Sequence, residues 1–252
     1  MKKVIGLLVF SFLVAGCFTA SVPPDPSVLR VGVTPDSRPM IFEQDGEIMG
    51  VEADFAKELG KVLNRKVVFV KVPWDKQIDY LEENKTDIIM SGMTVTPTRR
   101  IRIDFTVPYL QSGMTALFRR NLYDPAGLVA STIMNQNKRV GAVKNTTGEL
   151  FVIRNFPRAE KIYYSTADKA AKALKDGKID MFVHDAPIIW WISAQDEQNL
   201  VAFSDALNTE PIAWGVRKSD TELLNQANQA LLKWAKSGLR KQIVAKWITL
   251  AR

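Results

Sequence analysis

Between residues 29 and 90, short apolar runs alternate with segments whose apolar residues return every three or four positions, and this alternation admits few folds. Residues 29–33 predict a strand, and Gln44-Asp45-Gly46-Glu47 predicts a hairpin turn. Val51, Phe55, Leu59 and Val62 then share one helical face, leaving Glu52, Asp54, Lys57 and Glu58 for the others. A strand over 67–72, a helix over 76–83 and a strand over 87–90 complete the series. Strands separated by helices imply a mostly parallel sheet with helices on its faces.

The rhythm returns in a second unit expected from about Asp124: strands over 140–143, 161–164 and 179–183, and helices over 147–155 and 167–174. Pro187 suits the first turn of a following helix, where its missing N–H costs least. A strand over 212–216 and helices over 221–235 and 239–248 close the chain. No residue-level repeat links the two units. The breaks between them are 109–113 and 208–211, so a return of the last segment to the first unit would make a hinge of two chain crossings.

The stretch from Ser91 to Phe105, just beyond a predicted strand, holds most of the legible chemistry. Open α/β sheets bind ligands at the carboxyl ends of their strands. Ser91 and Thr94 offer hydroxyls, Gly92 allows close approach to the backbone, and Arg99 or Arg100 offers a planar fork suited to a carboxylate. A small acid is the ligand these residue types suggest, with solvated loop arginines as the alternative.

Other features narrow the class. Met1-Lys2-Lys3 and the apolar run 4–14 form a segment too short to span a bilayer, in the manner of an export signal. Leu13-Val14-Ala15-Gly16-Cys17 resembles a bacterial lipoprotein signal, which implies cleavage after residue 16 and lipidation of Cys17. Residues 17–27, with three prolines, read as a tether. Cys17 is the single cysteine, so an intrachain disulfide and a cysteine-based zinc site are excluded. His184 is the single histidine, and a histidine metal cluster is excluded with it. The formal charge of +7 comes without a long basic run, so nucleic acid is not an expected partner.

LRVGV at 29–33, VEADFAKELG at 51–60, VPWD at 72–75, DIIMSGMTVTPTRR at 87–100 and DFTVPYLQSG at 104–113 resemble the amino-acid-type bacterial extracellular solute-binding proteins of family 3. VGAVKNTTGEL at 140–150, IDMFVHDAP at 179–187 and EPIAWGVRK at 210–218 extend the resemblance over nearly all of the chain beyond the leader. It implies the α/β two-lobed periplasmic-binding-protein fold of type II, with mixed sheets flanked by helices and a two-segment hinge. The implied division is a signal peptide at 1–16, a lipidated tether at 17–27, lobe 1 at 28–110, lobe 2 at 111–210 and a return to lobe 1 at 211–252. It further implies a monomer on the extracytoplasmic or periplasmic side, held to the membrane through Cys17, that passes a small amino acid or related carboxylate to an ABC permease. No cofactor, metal or catalytic residue is expected.

The resemblance assigns Arg99 to the ligand α-carboxylate, with Thr94 beside it, Ser91 and Gly92 on the same wall, and Thr146 and Thr147 on the opposing loop. Asp185 corresponds to the acceptor of the α-ammonium. His184 is read as packed beside the pocket, while HDAP also resembles glutamine binders in which this histidine touches ligand. Thr34 stands where family members commonly carry an acid, and Ser37 and Val51 stand where they carry aromatic rings. These departures weaken the case for lysine or arginine as ligand and leave Phe42 or Trp74 as candidate walls. Asn145 replaces a glycine that it can imitate at positive φ. Two alternatives stay open: an arogenate- or prephenate-type dehydratase on the same fold, and a solute sensor.

Overall fold

The computed structural model describes residues 25–123 and 129–248. The leader, Cys17 and the unit start expected near Asp124 lie outside the described residues. In chain order, β1 (Val28–Val33) leads to the small antiparallel strands β2 (Asp36–Ser37), β3 (Ile41–Gln44) and β4 (Glu47–Met49). Next come α1 (Val51–Leu63), β5 (Lys66–Lys71), α2 (Gln77–Glu82), β6 (Ile88–Ile89), α3 (Pro97–Arg102) and β7 (Ile103–Phe105). The chain crosses through β8 (Leu110–Ser112) into β9 (Met114–Arg119), α4 (Ala130–Met134), β10 (Arg139–Val143) and α5 (Thr147–Asn155). It continues through β11 (Glu160–Tyr164), α6 (Ala167–Lys175), β12 (Met181–Asp185), α7 (Ala186–Gln195) and β13 (Leu200–Ala202). It returns by β14 (Glu210–Ile212) to β15 (Gly215–Arg217), α8 (Thr221–Ser237) and α9 (Leu239–Trp247).

Two five-stranded sheets result, ordered β5-β1-β6-β15-β7 and β11-β10-β12-β9-β13. In each, the first three strands run parallel. The fourth strand lies antiparallel to the third in both. The sheets are flanked by helices, and each forms one lobe of the type II periplasmic-binding fold. β8 and β14 pair antiparallel to form a two-stranded ribbon where the chain passes between the lobes.

The lobes share a side-chain device as well as a topology. In the first, Asp87 accepts from the backbone N–H of Arg30 at 2.8 Å and from its Nε at 3.1 Å, with Arg217 Nη2 3.5 Å away. In the second, Asp180 accepts from the N–H of Arg139 at 2.9 Å and from its Nε at 3.1 Å, with Arg119 Nη2 3.6 Å away. Burial alone would raise the pKa of Asp87, but the Arg30 hydrogen bonds and the Arg217 charge hold it below the ordinary value. Asp180 is held at about 2, chiefly by its hydrogen bond from Arg139. Arg217 also donates to the carbonyls of Leu81 and Thr86, and Arg119 to those of Leu174 and Ile179. Each arginine thereby ties its fourth strand to the segment leading into the third.

α1 forms because Val51, Phe55 and Leu59 fall on one face, all fully buried. Phe55 meets Tyr109, Trp214 and Trp234 at ring separations of 5.2 to 5.9 Å, so the two hinge exits and α8 share one aromatic core. The hairpin turn is as expected, with Asp45 and Gly46 at positive φ.

Three local expectations change. The run 212–216 is divided between β14 and β15, because the backbone leaves the hinge ribbon at Ile212 and enters the sheet at Gly215. Trp214, between them, donates its N–H to Thr106 Oγ1 at 3.1 Å. The second sheet begins at Met114, ahead of Asp124: MTALFR is buried on both faces and shows no alternation. Pro97 starts α3 instead of merely breaking the order, since Thr96 caps the helix by accepting from the Arg99 N–H.

Candidate functional site

A cavity between the lobes is lined from both sides. Its residues lie at the carboxyl ends of the parallel strands: Thr34, Asp36 and Ser37 after β1, Trp74 after β5, and Ser91 to Arg99 after β6. The second lobe contributes Lys144, Thr146 and Thr147 after β10, Ser165 and Thr166 after β11, and His184 and Asp185 at the end of β12. Equivalent positions in two similar sheets therefore face each other.

On the first wall, Arg99 is deeply set. Its Nη1 donates to the Thr94 carbonyl at 2.8 Å, and its guanidinium lies 5.3 Å from the Trp74 ring centroid. Burial lowers its pKa while the Asp185 and Glu210 carboxylates oppose that effect; arginine's high intrinsic value keeps it a cation. Thr94 Oγ1 donates to Glu210 Oε2 at 3.0 Å, and Asn208 Nδ2 donates to Glu210 Oε1 at 2.8 Å. Arg100 is exposed.

Other first-wall groups are fixed from behind. Ser91 Oγ accepts the Thr34 N–H at 2.9 Å. The Thr34 hydroxyl donates to the Val72 carbonyl at 2.8 Å and accepts from Gln77 at 2.9 Å, so it is engaged within its own lobe. Gly92, at φ 68°, donates its N–H to Glu52 Oε1 at 2.6 Å. Glu52 is fully buried and also accepts from Tyr109 Oη at 2.8 Å and Trp214 Nε1 at 2.9 Å. Burial outweighs these three donors and pushes its carboxyl up to about 7. The cavity floor is thus tied to residues flanking both hinge strands.

On the second wall, Thr146 caps α5 by accepting the Glu149 N–H at 3.3 Å and donates to the Val143 carbonyl at 2.7 Å. Thr147 follows as the first residue of that helix, where unpaired N–H groups favour an anion. Its hydroxyl lies 3.4 Å from Thr94 Oγ1 across the cleft. Asn145 has φ 61°, as expected for a stand-in for glycine, and its carbonyl accepts Trp74 Nε1 at 2.8 Å from the other lobe.

Asp185 presents one buried oxygen, Oδ1, with no hydrogen-bond partner among the described residues. His184 is 5% exposed and packs edge-on to Phe182 at 5.6 Å. Its Nδ1 accepts the Asp185 N–H at 2.7 Å and lies 3.0 Å from Asp185 Oδ2.

Ser91, Gly92, Thr94, Arg99, Thr146, Thr147 and Asp185 are therefore brought together, with Thr34, Ser37, Trp74 and His184 around them. Two of the possible contact positions, Val51 and Phe42, are not. Val51 is the first residue of α1 and fully buried in the core, away from the cavity lining. Phe42 packs edge-on to Trp247 at 5.7 Å, beneath Arg38 at 4.4 Å, and faces an outer groove. Sequence reasoning missed Asp36, Lys144, Ser165 and Thr166 as lining residues, and Glu52 and Glu210 as supports. For Asp36 a signal existed, because it lies in the polar turn beyond a predicted strand. Among the described residues no group of three or more histidine, cysteine or acidic side chains is placed to hold a metal ion.

Residues 29–250 match the bacterial extracellular solute-binding proteins, family 3. The chain belongs to this family. It is 27% identical over 237 residues to the ABC transporter glutamine-binding protein GlnH of Bacillus subtilis (strain 168), covering 91% of this chain and 84% of that protein. Among solved structures, the ancestral amino acid-binding protein AncCDT-1, a precursor of cyclohexadienyl dehydratase, is 32% identical with a TM-score of 0.80, covering 88% of this chain and 96% of that one. An ancestral arginine-binding protein bound to arginine is 27% identical with a TM-score of 0.80, covering 88% and 99%. Membership in family 3 accounts for the two lobes and their ribbon, and no described helix is long and apolar enough to cross a membrane.

Proposed function

We propose that this family 3 protein captures a small amino acid, or a related carboxylate, outside the cytoplasm and presents it to an ABC permease, binding it without covalent chemistry. The carrying observation is one cavity that has Arg99 on its first wall and, on its second, Asp185 with an oxygen that finds no protein donor. Arg99, Thr94 and the α5 N-terminus at Thr147 would take the α-carboxylate, and Asp185 with Ser91 and Gly92 the α-ammonium. A zwitterion supplies both charges at the spacing of one carbon, and removing water strengthens both contacts. The amino-acid-binding relatives support the same reading. Binding across two lobes joined by a ribbon would favour the closed form, which is the state a permease can select.

The proposal includes the lobe boundaries 28–110, 111–210 and 211–252, the leader 1–16, and attachment of a monomer through Cys17 and the tether 17–27. The anchor is checked by fractionation: Cys17→Ser is expected to move the protein from membranes to the soluble extracytoplasmic fraction, and unchanged distribution would contradict it. The ligand class is checked by calorimetric titration of ligand-stripped protein with the twenty amino acids, followed by acidic solutes and arogenate. Saturable binding of an amino acid supports the reading; turnover of arogenate or prephenate would favour the dehydratase instead.

A further inference from the structure

The cavity lining carries charge that the zwitterion clamp does not use. Asp36 lines both the cavity and the outer groove, so its carboxylate stands at the passage between them. Ser37 Oγ donates to its Oδ1 at 3.0 Å, but among the described residues no cation lies within ion-pair distance. Neighbouring Arg38 stacks on Phe42. Across the passage, Asp168 occupies the first turn of α6 and borders the same groove, also without an ion pair or side-chain hydrogen bond among the described residues. Although Asp36 keeps contact with solvent, the mass of both lobes around it raises its pKa; Ser37 and His184 oppose the shift, and Asp168 adds to it. Two exposed carboxylates from opposite lobes thus border one groove whose cations are engaged elsewhere, Lys172 with Asp176, Lys175 with Asp196 and Arg38 on Phe42, which leaves both carboxylates unpaired for a cation that enters.

We propose that Asp36, assisted by Asp168, selects ligands whose side chain is positively charged, such as a guanidinium or ammonium at the end of an aliphatic stem. This rests on the amino-acid reading above and names the class of side chain. It reverses the expectation drawn from the missing acid at Thr34, because the carboxylate is supplied two residues later. His184, 5% exposed on the cavity wall with no partner for Nε2 among the described residues, adds a polar contact. Lys144, the competing cation, is exposed beside the α5 N-terminus, at the carboxylate end of the clamp.

The test is calorimetric titration of ligand-stripped protein with two matched pairs, arginine against citrulline and lysine against 6-hydroxynorleucine, at low and high salt. Each pair keeps length and shape while removing the charge. The cationic member is expected to bind at least about tenfold more tightly, an advantage reduced by salt. Asp36→Asn should remove most of that ratio without weakening citrulline, and Asp168→Asn should reduce it less. Thermal unfolding of both variants reports whether each still folds. If citrulline and 6-hydroxynorleucine bind as tightly as their cationic partners in the native protein, the inference is overturned while the amino-acid reading stands. If no α-amino acid binds, both are overturned.

Discussion

Set side by side, the two lobes have the same strand order, the same parallel and antiparallel pairings and the same Arg–Asp–Arg device, yet they meet the cleft differently. After β1 the first lobe inserts the β2–β3–β4 hairpin before its helix, which sets Asp36 and Ser37 at the cavity mouth. After the equivalent β10 the second lobe enters α5 directly and offers a capped helix N-terminus. After β6 comes a loop and short α3 carrying Arg99, whereas after β12 Asp185 opens α7. The scaffold is thus repeated, while the chemistry lies in the connections at the strand ends. One lobe supplies the buried cation and the other a carboxylate and helix dipole, so neither alone can bind both ends of a zwitterion.

The largest expected asymmetry is the buried anchor found in the first lobe. Glu52→Ala would strand the Gly92 and Trp214 N–H groups and the Tyr109 hydroxyl, lowering stability by about 3–5 kcal/mol in denaturant unfolding. Its pH dependence has a definite sign. Because its folded-state pKa of about 7 lies above the ordinary 4.5, protonation favours the folded state. The Glu52 contribution is then complete below about pH 4.5 and is lost as pH rises through about 7, by up to a few kcal/mol. The stability difference between native protein and Glu52→Gln should follow that window; a difference independent of pH would remove Glu52 as the titrating group.

The repeated ion clusters give the next effect. Asp87→Ala and Asp180→Ala should each cost about 1–3 kcal/mol, with Asp87 the larger because it is the more buried. Asp180, held at about 2, should keep its contribution above about pH 4 and lose it as pH falls toward 2. Equal acid midpoints for the native protein and Asp180→Asn would remove Asp180 as the group that titrates in that window.

The smallest effect concerns the contact between lobes. Trp74→Phe keeps an aromatic side chain but removes the hydrogen bond to the Asn145 carbonyl, favouring opening by about 1 kcal/mol. Small-angle scattering of the ligand-free variant should report a larger radius of gyration, and an unchanged radius would show that this bond does not hold the lobes together.

Much of this arrangement was legible in the sequence. Periodicity located most strands and helices, since α1, α5 and α6 each keep an apolar face. The Ser91–Arg99 loop stood out because hydroxyls, glycine and arginine followed a buried strand. The repeat was hidden because its Arg–Asp pairs lie 57 and 41 residues apart, with unlike sequence between them. β9 was missed because a strand buried on both faces has no alternation. Val51 as a possible contact and Phe42 as a possible wall fall away from the cavity because one residue of strand or helix phase decides between core and cleft.

The proposed clamp is divided between the lobes, and matched removal of functional groups tests it most directly. Calorimetry would compare the best-bound amino acid with its decarboxylated and its deaminated analogue in native protein, Arg99→Ala and Asp185→Ala. Arg99→Ala should weaken the parent amino acid by about a hundredfold or more and leave the decarboxylated analogue nearly unchanged, while Asp185→Ala should spare only the deaminated analogue. Equal losses for parent and analogue in each variant would contradict the division of the clamp between Arg99 and Asp185.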